Sequence, residues 1–150
     1  MTSLALTLPY KITAMQITKY VLPVVVGAMS GMILITLGEM AIHHMYPLPP
    51  GTDLYDADSL AKAMKQMPES ALLFLLVNYV ISSFLAGIIA TLISGRVTLR
   101  PALVVGIVLT LAGLYNVIVL PHPMWFSMLN LLVYLPFVYL GYLAVRKKSL

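Results

Sequence analysis

This chain of 150 residues is 61% hydrophobic and only 9% charged, with a mean hydropathy of +0.97, whereas a soluble domain averages roughly 25% charged residues. It lacks the charge to cover a water-facing surface and reads as a single all-α integral membrane domain, 1–150. The formal net charge of +4 does not point to nucleic acid, because Lys and Arg flank apolar runs instead of gathering on a polar domain. The absence of cysteine excludes a disulfide framework and a thiolate metal site.

The opening "MTSLALTLPYKITAMQIT" is not a convincing signal peptide. Its early part has no positive charge, the apolar run after it is too long, and no small-x-small cleavage site is clear. The N-terminus is therefore expected to stay in the mature protein. Four segments reach the roughly 20 helical residues that a hydrocarbon core requires: 21–42, with one Glu, and the uncharged 71–93, 101–120 and 124–145. Each run is continuous and not alternating. Since lipid cannot satisfy exposed backbone groups, each is predicted to be a helix of a four-transmembrane-helix bundle.

Seven basic residues (Lys11, Lys19, Arg96, Arg100, Arg146, Lys147, Lys148) fall on one side of these spans and two (Lys62, Lys65) on the other. The positive-inside bias predicts cytoplasmic N- and C-termini. The acidic residues Glu39, Asp53, Asp56, Asp58 and Glu69 all lie on or near the predicted outer side. Short connections, "SGRVTLR" and "LPHP", predict antiparallel neighbours for the second and third spans and for the third and fourth.

The first span ends in the outer loop 43–68. "YPLPPGTD" resists helix, and "DADSLAKAMKQM" then reads as one short amphipathic helix. Asp56 or Asp58 can cap it, and Leu60, Ala61, Met64 and Met67 share a face that lies on the membrane or caps the bundle. Pro68 and Glu69 suit the start of the second span.

Small residues mark where helices approach. Gly27 and Gly31 stand four apart; Ser82, Ala86, Ala90 and Ser94 repeat every four, with Ser83 and Gly87 beside them; Ala102, Gly106 and Gly113 line the third span. Such stripes fit an internal core or a subunit interface. Asn78, Asn116 and Asn130 are expected to form interhelical polar contacts, Asn116 and Asn130 with each other. Pro136 predicts a kink, and Trp125, Tyr139 and Tyr142 suit interfacial belts.

Glu39 and His43 share a helical face and can hydrogen bond, His44 projects elsewhere, and His122 lies at a similar depth. Glu39, His43, His44 and His122 are the one constellation fit for metal binding or proton relay. Helix-end anchoring is the simpler role, since no close His-x-x-x-His or Glu-x-x-His pair occurs. No nucleophile with a base partner and no phosphate loop is found, so no enzyme activity and no cofactor is predicted. The C-terminal "RKKSL" reads as a positive-inside anchor near anionic lipid.

The "LG" ending the first span, "PLPPGTD", "YDADSL", the "MP" before the second span and "LPHPMWF" resemble a group of small bacterial four-span membrane proteins with no assigned activity. The resemblance covers most of the chain after about residue 20. It implies the four-span architecture and an inner-membrane location. Small multidrug exporters also carry a Glu in their first span, but mid-membrane, whereas Glu39 lies near the outer edge. The expected role is an accessory or structural subunit of a larger membrane complex, with the bilayer and protein partners or further copies of the chain as its contacts. The alternative is a small oligomeric transporter or ion-conducting protein lined by Glu39, His43, Asn116 and Asn130.

Overall fold

The computed structural model describes residues 17–53, 55–95, 98–120 and 122–147. Lys11, Arg96 and Lys148 of the charge pattern, Pro121 of the "LPHP" turn and residues 1–16 of the N-terminal stretch expected to stay in the mature protein lie outside them. Five α-helices follow in order: α1 (Leu22–Met45), α2 (Ala57–Lys65), α3 (Glu69–Ile93), α4 (Arg100–Val119) and α5 (Met124–Val145), with one π-helical turn (Ile17–Val21) leading into α1. The four long helices are long and apolar enough to cross a bilayer, and at 1.5 Å per residue even the 20 residues of α4 reach about 30 Å. The protein is thus an all-α, four-span membrane protein with one short extra helix.

The connections place α2 at one end of the bundle, together with the α4–α5 turn. The α3–α4 turn and the start of α1 lie at the other, terminal end. The α1–α2 loop is wired by its own polar groups. Pro49, Pro50, Gly51 and Thr52 form a type II turn: Gly51 takes φ +83°, and the Thr52 amide donates to the Pro49 carbonyl at 3.2 Å. Asp56 caps α2, its carboxylate accepting from the Ser59 amide at 2.9 Å. The buried face of α2 centres on Ala63 and Met64, with Leu60 and Met67 partly covered. Ala61 of the expected stripe is partly covered like Leu60 and Met67, and Ala63, outside that stripe, is buried with Met64.

Helix α3 is the centre of the bundle. It packs against α1, α5 and α4, while α1 and α5 each also pack against α4. Its closest approaches are to α1 and α5, not to its sequence neighbour α4, and the small residues explain why. On one side Gly27 and Gly31 of α1 sit against Ala90 and Ala86. On the other, a Cβ on Gly87 would overlap the Val138 carbonyl of α5, and one on Gly141 would overlap the Phe84 carbonyl of α3. These two glycines bring backbone onto backbone, the geometry that replaces hydrophobic driving force inside lipid. Ser82, Ala86, Ala90 and Ser94 all lie inside the bundle, at most 6% exposed.

Between α4 and α5, Gly106 receives Leu135 and Gly113 receives the Tyr134 ring. Tyr142 does not join an interfacial belt: it lies in the core beside Gly141, with the Arg146 guanidinium over its ring at 5.8 Å. Pro136 leaves α5 continuous and faces outward.

Replacing Gly87 with valine forces a side chain onto a backbone carbonyl that cannot rotate away. The Gly87→Val variant should lose at least about 3 kcal/mol, the upper range for overpacking. Gly95→Ala, a change in open space at φ +81°, should lose about 1–2 kcal/mol. Unfolding by SDS titration of the purified variants measures both, and equal losses would contradict the packing assigned to α3 and α5.

Candidate functional site

The polar side chains of the spans collect in the half of the bundle nearer α2. Glu39, in the penultimate turn of α1, does not bond to His43 through its carboxylate. The His43 ring donates from Nδ1 to the Glu39 backbone carbonyl at 2.8 Å, a helix-end contact. The carboxylate reaches instead across to α3, where the Tyr79 hydroxyl donates to Oε1 at 2.8 Å. Tyr79 is 2% exposed and stacks obliquely on Tyr134 of α5, ring centres 5.9 Å apart. Tyr134 in turn donates to Asn130 Oδ1 at 2.6 Å.

Sequence reasoning missed both tyrosines. The signal available for Tyr79 was its register: 79, 82, 83 and 86 fall on the inward face of α3, so its hydroxyl needed an interior partner.

The three asparagines behave differently. Asn78 joins α3 to α1, its Nδ2 donating to the Ile35 carbonyl at 3.0 Å, while Ser82 donates to its Oδ1 at 3.3 Å. Gly38 makes room for this side chain, since a Cβ there would overlap the Asn78 amide. Asn116 and Asn130 do not pair with each other as expected. Asn130 is fully buried and bonds to Tyr134 one turn along its own helix, which leaves its Nδ2 without a partner. The Oδ1 of Asn116 is likewise buried and unpartnered.

Two cavities meet at this cluster. A crevice of about 240 Å³ runs between α1 and α4, from Met32 and Leu109 up to Glu39 and Asn116, with Tyr79 and Tyr134 behind it. A more enclosed chamber of about 160 Å³ lies beyond, under Leu60 and Met64 of α2 and beside His43 and His122. Glu39, Tyr79 and Asn116 border both. Each volume is small, and together they come into the range of small-molecule sites.

His122, in the α4–α5 turn, donates from Nδ1 to the Leu120 carbonyl at 2.8 Å and stacks on Phe126 at 4.7 Å. Burial pushes its pKa below the ordinary histidine value, against a smaller upward pull from the Leu120 carbonyl. Its imidazole therefore stays neutral to lower pH than a free one. His44 stands exposed with Met40 at a shallow hollow on the flank of α1.

Glu39, His43 and His122 thus share a cavity wall and His44 does not. Among the described residues, no three His, Asp or Glu side chains gather as a metal-binding set. No protein-family model matches the chain, and no curated protein or solved structure is significantly similar to it.

Removing the Tyr79 hydroxyl leaves a membrane carboxylate without its donor. Tyr79→Phe should cost about 1–3 kcal/mol, more than the roughly 0.6 kcal/mol typical of an interhelical bond within lipid that Asn78→Ala removes. SDS unfolding of the two variants checks the order, and a neutral Tyr79→Phe would contradict it.

Proposed function

We propose that this protein is a non-enzymatic binding protein of the bacterial inner membrane, an accessory component that holds a bilayer-soluble small molecule for a larger assembly. The observation that carries this reading is the contrast between the two halves of the bundle. Toward the terminal end, Gly27, Gly31, Gly87 and Gly141 press helices together. Toward α2, two neighbouring cavities open beside the Glu39 carboxylate. Such an arrangement suits holding a ligand from one leaflet, and it offers a conducted ion no continuous path through the packed half.

The charge bias assigns the α2 end to the outer face and both termini to the cytoplasm. The inner-membrane location is the expectation that the loop motifs of the sequence raise. The polar lining of Glu39, His43 and Asn116 is what favours the second reading, a small transporter.

Native mass spectrometry of protein extracted in mild detergent distinguishes the two. The binding reading predicts a stoichiometric non-protein adduct on the chain, together with a larger co-purifying subunit. An adduct-free homo-oligomer that gives pH-dependent flux in proteoliposomes would overturn it in favour of transport.

A further inference from the structure

The crevice has a direction. In four successive spans, α1 and α4 run the same way, so Met32 and Leu109 mark its deep, apolar end and Glu39 and Asn116 its polar end. Seven residues separate the two levels on each helix, a drop of about 10 Å. Met32, Thr36 and Ala112 on its walls are exposed on the flank of the bundle, the side that faces lipid. The other way in is covered by Leu60 and Met64 of α2. A ligand therefore enters sideways from the bilayer, with its apolar part directed down the crevice.

The chemistry of the polar end is one-sided. Glu39 receives a single hydrogen bond, from Tyr79, and forms no ion pair among the described residues. The Asn116 oxygen is shielded from the crevice and takes no part in its surface. A carboxylate within a membrane calls for a cation.

We propose, resting on the binding reading above, that the crevice takes a single-chain amphiphile whose head is a protonated primary amine. The ammonium carries three donors and pairs with the Glu39 carboxylate, while the alkyl chain runs down between Ile35 and Leu109. Other heads fit less well. A carboxylate or phosphate would face Glu39 without a counter-charge, which also disfavours a phospholipid whose phosphate sits at that depth. A quaternary ammonium supplies charge but no donor for the Glu39 carboxylate. An alcohol supplies a donor but no charge.

The test uses the full chain in phosphatidylcholine nanodiscs, which contain no primary amine, titrated with dodecylamine, dodecanol and dodecyltrimethylammonium and corrected for partition into empty discs. Dodecylamine should saturate at one per chain and bind at least about tenfold more tightly than the other two. Glu39→Gln should weaken it by about tenfold or more, the range for a lost hydrogen bond to a charged group. Ala112→Phe, which fills the crevice and leaves its polar groups in place, should abolish saturable binding of every probe, and His44→Ala should change nothing.

Equal binding of the three probes, removed by Ala112→Phe, would overturn the amine specificity and leave the binding reading standing. No saturable binding of any probe would overturn both. Monodisperse elution of each variant confirms that it folds. Should Glu39→Gln fail that check, the probe comparison decides the matter.

Discussion

A carboxylate within a membrane helix has to find a donor, and the half of this bundle nearer α2 is arranged around the one that Glu39 finds. Tyr79 supplies it from α3. Tyr79 can do so only because α3 is drawn into the centre of the bundle by small residues on two faces. The aromatic contact to Tyr134, the recess at Gly113 that admits that ring, and the cavity left beside Asn116 all follow from placing a large hydroxylated side chain at this level. The polar contacts here fix which surfaces meet, and the glycines fix how closely.

The two halves of the bundle are therefore different materials. Near the terminal end, Gly87 and Gly141 bring the α3 and α5 backbones together with no side chain between them. Near α2, the helices are held apart by Tyr79, Tyr134 and Phe126, whose bulk fills the centre but not the gap between α1 and α4. Leu60 and Met64 of the α2 helix cover the chamber above that gap, with Asp56 fixing where the helix begins. Rigid packing on one side and a bordered space on the other are what a binding scaffold requires.

Much of the architecture was legible in the sequence because the bilayer imposes so narrow a rule. Twenty uncharged apolar residues have one way to satisfy their backbone, and the four spans lie within two or three residues of where hydropathy puts them. The α2 cap at Asp56 and the interior position of Ser82, Ala86 and Ala90 follow from spacing as well. The partnerships across helices were not legible. Glu39 and His43 share a face, yet the carboxylate turns toward Tyr79, because a phenol 40 residues away sits nearer in space than the imidazole one turn along. The belt position expected of Tyr142 failed for a similar reason: Gly141 beside it pulls that stretch of α5 against α3. Register on one helix is local information, whereas partner choice depends on how the whole bundle closes.

The account depends on an open crevice between α1 and α4 beside a closed α3 interior. The absence of cysteine from the chain makes single-cysteine labelling with a bilayer-soluble maleimide the most direct measurement. Thr36→Cys and Ala112→Cys, on the crevice walls, should react readily, whereas Ser83→Cys, a near-isosteric change at a position with no exposure, should stay unlabelled until the protein unfolds. Labelling of Ser83→Cys at the rate of the two crevice positions in the folded protein would contradict the account.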